Sequence, residues 1–282
     1  MPFRCFVTLK QKMTTYPSLF QFRKIDNFLF QTLINRTLWF SSPKVFNDPF
    51  DCQLPILTDN NLEEIEKFLS AVNDEKNFYP DSLSVSKRAK ELFDNKIELK
   101  VFLHQEIFNK RKFSCFVEDE RLVYDNSTMW GNYADKSKGV CLKFVFDDPL
   151  TNSFCLNENL KILPLKIEYR KDIPSFNYIT YRLGKDQEIN SSSQYFMGIK
   201  SEDWKEESEV RLVLATSKGE FERDYEGAKF YPRCLKEIIL GCNTSKEDRE
   251  IFENIVKCNP EYSKVKVQSL KKSDKWFGFE PQ

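Results

Sequence analysis

The chain has 282 residues, 40% hydrophobic and 15% aromatic, enough apolar surface to fill one large domain or two modest ones and to exclude a disordered chain. Its 43 basic and 43 acidic side chains cancel to a formal charge of zero, which excludes a global field toward nucleic acid or an anionic membrane and leaves only a local basic patch open. Eight cysteines without a C-x-x-C pair, and a single histidine, exclude the usual structural zinc spacings.

Met1-Pro2-Phe3-Arg4-Cys5 lacks the charged-then-apolar profile of a secretory signal, and no window approaches the roughly 18 apolar residues of a spanning helix. The expectation is a cytoplasmic protein with no membrane partner, in which most of Cys5, Cys52, Cys115, Cys141, Cys155, Cys234, Cys242 and Cys258 are small core residues. Phe20 to Arg23 reads as a strand, Lys24 to Leu33 as a short helix with Ile25, Phe28, Leu29 and Leu33 on one side, and Leu38 to Ser42 as a second strand stopped by Pro43. Asn47-Asp48-Pro49 is a turn signal, because Asn and Asp bond their own backbone and the proline ring fixes φ.

Residues 60 to 112 read as helical. Asn60 with Glu63 forms a capping box, and a second helix starts near Ser84 or Ser86. Phe93, Ile97, Val101, His104 and Phe108 recur at three- or four-residue spacing, which predicts one apolar face and makes His104 a core or interface residue. From Phe113 the period shifts toward two, with strand-length runs at Phe113 to Val117, Val140 to Phe146, Lys161 to Tyr169, Val210 to Thr216, Leu235 to Leu240 and Val265 to Leu270. The predicted fold class is α+β: one domain over residues 1–282, a mostly antiparallel, split sheet with a helical layer or insertion at about 60–112. Ser191-Ser192-Ser193 is the candidate mobile loop, as a lid or a plain connector.

The chemistry concentrates in three signatures that set rings beside charge. These are Leu38-Trp39-Phe40-Ser41-Ser42-Pro43 with Phe46-Asn47-Asp48-Pro49-Phe50-Asp51, then Met129-Trp130-Gly131-Asn132-Tyr133-Ala134-Asp135, then Trp204 with Glu207-Ser208-Glu209-Val210-Arg211. On an extended strand Glu209 and Arg211 share one face, while Val210, Leu212 and Leu214 share the inward one. Glu209 over a cleft, kept ionised by Arg211 and walled by Trp204, is a candidate catalytic acid; an exposed ion pair at a sheet edge is the plain alternative. Trp130 and Tyr133 are three apart, so one helical turn places them together as stacking partners for a planar ring or as core. Asp48 and Asp51 either cap a turn or hold Mg²⁺ with Glu207 or Glu209 as the third acid, and no metal site is assigned. No G-x-S-x-G, P-loop or G-x-G-x-x-G motif occurs.

These signatures, with Lys138-Gly139-Val140-Cys141-Leu142-Lys143-Phe144 and Lys236-Glu237-Ile238-Ile239-Leu240-Gly241, resemble a large bacterial family, domain-of-unknown-function family 2971. Its members look like parts of abortive-infection and phage-defence loci. A second resemblance is to the NAD-dependent ADP-ribosyltransferases, in the order of an early Arg beside aromatics, a strand ending in serines and a late strand led by Glu. That resemblance implies NAD as substrate. It also implies Arg23 on the nicotinamide ribose or a phosphate, Ser41 supporting the pocket, Trp130 or Tyr133 stacking on nicotinamide, Arg211 in the NAD-binding set, and Glu209 on the ribose 2′-hydroxyl. The chain lacks the Ser-Thr-Ser run of that layout. The resulting expectation is a toxin-like antiviral effector, a transferase or NAD glycohydrolase, with a protein partner in a defence or toxin-antitoxin-like system and nucleic acid among the acceptors. The rivals are an Mg²⁺-dependent nuclease using Asp48, Asp51 and Glu209, and a non-enzymatic sensor or partner-binding subunit.

Overall fold

Alternating apolar side chains from Leu19 onward build one large sheet in the computed structural model, which describes residues 18–53, 55–76, 79–147, 149–184 and 197–282. Its strands are β1 (Leu19–Arg23), β2 (Thr37–Ser41), β3 (Arg111–Val117), β4 (Val140–Phe144), β5 (Phe154–Cys155) and β6 (Leu160–Lys166). After a separate parallel pair, β7 (Glu168–Arg170) with β8 (Ile199–Ser201), it continues through β9 (Glu209–Thr216), β10 (Tyr225–Phe230), β11 (Leu235–Leu240), β12 (Lys266–Lys272) and β13 (Phe279–Pro281). The order is β13-β12-β11-β4-β1-β3-β2-β10-β5, with β9 joining β3 to β6. Within this sheet only β11 and β12 run parallel. The fold is α+β with a mostly antiparallel sheet.

Contacts divide the described chain into two units. Residues 46–110 and 168–202 form the first, with α2 (Leu62–Lys76), α3 (Ser82–Asp94), α4 (Lys96–Phe108), α7 (Tyr178–Arg182) and the β7–β8 pair. Its apolar interior is built from Ile65, Phe68, Leu69, Leu92, Leu99, Leu103 and Ile179, and Phe68 meets Tyr178 edge to face at 5.9 Å. The capping box falls one residue later than the sequence predicts. Asn61 Oδ1 accepts from Glu64 N at 2.9 Å, and Glu64 Oε2 accepts from Asn61 N at 3.2 Å. The predicted Phe93-to-Phe108 face is also corrected. The helix breaks at Asn95, whose side chain caps α4 by accepting from Glu98 N, so the phase restarts there. Leu99, Leu103 and Ile107 are buried, while Ile97 and Val101 are exposed. His104 is half-buried and lies 4.6 Å from the Phe108 ring.

The second unit, described over residues 18–45, 111–167 and 203–282, holds the large sheet with α1 (Asn27–Ile34), α5 (Arg121–Asp125), α6 (Ser127–Tyr133) and α8 (Lys246–Cys258). One sheet face carries Leu19, Leu38, Phe40, Phe116, Leu142, Phe144, Val210, Leu212, Leu214 and Phe230, with Leu29 and Leu33 of α1 and Phe252 of α8 in the same cluster. On the other face Phe20, Phe22 and Cys141 pack with Val123, Met129 and Trp130 of the α5–α6 region. α6 ends in three consecutive left-handed residues, Asp135, Lys136 and Ser137 (φ 45°, 56° and 65°), each costing about 1–2 kcal/mol without a glycine. Asn243 holds that turn by donating its backbone N–H to Ser137 O and its side-chain amide to Lys136 O, both at 2.9 Å. Gly139 and Gly241 flank it because chain meets chain there: a Cβ would lie 2.2 Å from Arg23 O at the first and 2.2 Å from Ser137 O at the second.

Among the described residues Cys52, Cys141 and Cys234 are buried as expected and Cys242 is half-buried; burial pushes the Cys141 and Cys234 thiols up and leaves them inert. Cys115, Cys155 and Cys258 are exposed. Ser191-Ser192-Ser193 and Cys5 lie outside the described residues.

Tyr262 closes the interior beneath α1: it is fully buried, donates to Leu33 O at 2.7 Å, and burial raises its phenol from 10 to about 12. The unfolded chain ionises near pH 10 while the folded one keeps the proton to about 12, so this stabilisation is complete below pH 10 and is lost as pH rises toward 12. A phenol raised from 10 to about 12 corresponds to roughly 2–3 kcal/mol. Urea denaturation at pH 9, 10, 11 and 12 should show that loss in the wild-type protein and a shallower one in Tyr262→Phe.

Candidate functional site

Cross-strand register decides which side chains meet. In the antiparallel ladder Phe20 faces Val117, Val117 faces Glu209, Cys115 faces Arg211, Phe113 faces Val213 and Ser41 faces Phe113. Directly opposed residues share a sheet face, so Ser41, Phe113, Cys115, Arg211, Glu209 and Val117 lie on one side, continuous with Phe20, Phe22 and the α6 helix. Val210, Leu212 and Leu214 point the other way into the larger apolar cluster.

The Glu209–Arg211 pair is therefore not at a sheet edge. β9 is hydrogen-bonded on both sides, to β3 and to β6, and all of its residues are buried. Glu209 is 5% exposed and Arg211 0%, and Arg211 Nε donates to Glu209 Oε1 at 2.6 Å. The exposed ion pair expected as the alternative gives way to a buried one, whose partners satisfy each other at close range. The Phe113 ring lies 6.0 Å from the Arg211 guanidinium carbon.

Next to this pair stands a second carboxylate. Glu207 is buried and accepts from the Tyr133 phenol at 2.5 Å, which ties the end of α6 to the turn entering β9. Between the two acids Ser208 is left-handed (φ 46°), and its carbonyl accepts from Glu118 N at 3.2 Å. Asn126 serves both segments: its carbonyl oxygen caps α6 at Met129 N, and its amide donates to Glu206 O at 3.2 Å. Cys115, directly across from Arg211, is exposed, so solvent reaches this face beside the buried charges.

The predicted residues separate on this geometry. Glu209, Arg211, Ser41 and Tyr133 belong to one face, with Ser41 Oγ donating to Phe113 O at a long 3.4 Å. Trp130 takes the core place: it is fully buried, donates Nε1 to Val123 O at 2.7 Å, and meets Phe22 edge to face at 5.1 Å. Arg23 follows Phe22 on β1 and so alternates onto the opposite face. There it lies 3.9 Å from Asp26, and burial lowers its pKa more than Asp26 raises it. Asp26 is itself committed to capping α1 through Leu29 N. Trp204 is half-buried in the 3₁₀ turn Glu202–Glu207. Asp48 and Asp51 are buried in the first unit, Asp48 Oδ1 accepting from Phe50 N at 2.9 Å in the predicted turn. Among the described residues no group of three acidic, His or Cys side chains is placed to hold a metal ion. Sequence reasoning raised Glu207 as a third metal carboxylate and read Cys115 as a core cysteine, whereas it is exposed; the Tyr133–Glu207 bond joins residues 74 apart in the chain, beyond any local pattern.

A family model described as "Protein of unknown function (DUF2971)" matches residues 129–212. That span begins at Met129 and contains Trp130, Tyr133, Glu207, Glu209 and Arg211, so both carboxylate pairs fall inside it. No curated protein and no solved structure matches the chain.

Two stability measurements check this placement. Arg211→Met removes the guanidinium from a buried carboxylate and should cost about 3–5 kcal/mol in denaturant unfolding, with much of the loss recovered in Glu209→Leu/Arg211→Met. Trp130→Ala should also cost about 3–5 kcal/mol, as expected for a packed indole; near-native stability would move Trp130 out of the core.

Proposed function

We propose that the second unit cleaves or transfers at the nicotinamide–ribose bond of NAD, with Glu209 as the electrostatic catalyst. The observation that carries the reading is Glu209 itself, a carboxylate on a doubly flanked strand, held at 2.6 Å by a buried guanidinium and bordered by a solvent-reached position at Cys115. Loss of nicotinamide leaves oxocarbenium character on the ribose carbon. The positive charge that the ground state carries on the pyridinium ring passes to the ribose as neutral nicotinamide leaves, so a fixed carboxylate at the ribose stabilises the developing cation more than the ground state. Arg211 keeps the carboxylate ionised and oriented. Tyr133 and Glu207 form a second donor–acceptor pair on the same face, and Ser41 lines it. The choice of NAD, and an effector role in bacterial defence with a protein or nucleic-acid acceptor, are supported by resemblance alone.

The observations behind a non-enzymatic reading are the complete burial of Arg211 against Glu209 and the core packing of Trp130. NAD turnover separates the two. Wild-type protein incubated with NAD should release nicotinamide, and Glu209→Gln should lower the rate by about 10²-fold or more, the scale seen when one charge-stabilising group is removed. Glu209→Asp, which keeps the charge but retracts it, should lower the rate while preserving near-UV circular dichroism. Undiminished turnover in Glu209→Gln, or no nicotinamide release from folded wild-type protein, would remove the proposal.

A further inference from the structure

β12 and β13 end the strand order of the large sheet as an antiparallel hairpin, with Lys272 opposite Phe279 and residues 273–278 as its loop. The loop carries Trp276 and Phe277 side by side, and both face water: Phe277 is 104% exposed and Trp276 46%. Single apolar side chains on a surface need no explanation, but here two adjacent rings stand at the extremity of a turn.

The turn that presents them is held from within. Ser273 N donates to Gly278 O at 2.9 Å, Gly278 N to Trp276 O at 2.9 Å and Lys275 N to Ser273 Oγ at 3.1 Å. A Cβ on Gly278 would lie 2.5 Å from Trp276 Nε1 and 2.6 Å from Tyr124 O, so the indole and the α5 backbone both close on that position. Phe279, one residue further on, is buried and meets Trp130 at a centroid distance of 6.0 Å, which roots the loop in the core. The rings are thus displayed on an ordered turn, and little entropy is left to lose when they bind.

Charge around the tip is biased. Lys271 is paired with Glu280 at 3.0 Å, whereas exposed Lys272 and Lys275 have no ion pair among the described residues. Asp274 is the remaining acid of the loop, so three lysines stand against two carboxylates on a chain whose formal charge is zero.

We propose that this hairpin tip docks on the surface of an anionic lipid bilayer, with Phe277 and Trp276 entering the interface and Lys272 and Lys275 meeting the head groups. Among the described residues no helix is long and apolar enough to cross a membrane, so the contact is with the surface alone. A fluid interface accepts a projecting ring without a matching cavity, Trp is suited to the head-group level, and lysine stems lie along apolar material while their amines stay in water. The tip is separate from Glu209 and does not depend on its chemistry.

Cosedimentation of the full chain with phosphatidylcholine vesicles, with and without phosphatidylserine, tests the assignment. The chain should bind the phosphatidylserine vesicles about fivefold more tightly than the neutral ones, the scale of one uncompensated lysine near an anionic surface. Lys272→Gln/Lys275→Gln should remove that preference. Phe277→Ser, which alters a ring standing clear of the protein, should leave the melting temperature unchanged and weaken binding about tenfold. Lipid brominated in its acyl chains should quench the tryptophan emission of the wild-type chain more than that of Trp276→Phe. Equal binding to both vesicles, or undiminished binding by Phe277→Ser, would overturn the assignment. Failure of the folded wild-type chain to bind either vesicle would overturn it too and leave the tip to a protein partner.

Discussion

Burying an ion pair on a strand that has no solvent-facing side constrains the second unit more than any single apolar contact. Moving a carboxylate or a guanidinium out of water costs several kcal/mol per ion, recovered only when the partners sit at hydrogen-bond distance in a fixed frame. Arg211 and Glu209 meet that demand because they are two residues apart on β9 and project to the same side. The frame is fixed from both flanks by the β3 and β6 ladders. The opposite side of β9 supplies the hydrophobic driving force through Val210, Leu212 and Leu214. One strand therefore contributes to the core with one face and to the polar site with the other.

The polar face extends across the chain because its members do two jobs at once. Tyr133 ends α6 and reaches Glu207, while Asn126 caps the same helix and holds Glu206 O. The turn after α6 accepts left-handed backbone at three non-glycine residues, and the segment at Gly241 to Thr244 clamps it in place. Strain of this kind persists where surrounding contacts over-determine the backbone. Here it places Tyr133 against the turn that enters β9. The family match begins inside α6 and ends on β9, the stretch over which these ties run.

Lys112 and Glu209 lie on opposite faces of the same sheet. Glu209 is held by the Arg211 guanidinium, whereas burial lowers the Lys112 pKa from the ordinary lysine value. Phe116, Ser114 and Lys112 share one face of β3, so two polar side chains sit in line with an apolar one on that surface.

Local signals carried much of the architecture. The strand runs near Leu19, Leu38, Phe113, Val140, Val210, Leu235 and Val265, the proline stop at Pro43, the turn at Asp48 and the α+β class were readable from residue type and period, because those preferences act within a few bonds. So was the sharing of one face by Glu209 and Arg211, since strand alternation alone requires it. The phase of α4 was misread, because the break at Asn95 shifts the buried stripe to Leu99, Leu103 and Ile107, and spacing counted across the break cannot reveal it. Whether the Glu209–Arg211 pair met water or protein, whether Trp130 stacked on a ligand or on Phe22, and whether Arg23 joined Ser41 or turned away depended on which strands became neighbours. Those pairings join residues 72 to 125 positions apart, through registers that the hydrophobic burial of the whole unit selects. Composition and period therefore determined the elements and their inward sides, and only the assembled sheet decided which charges were buried together.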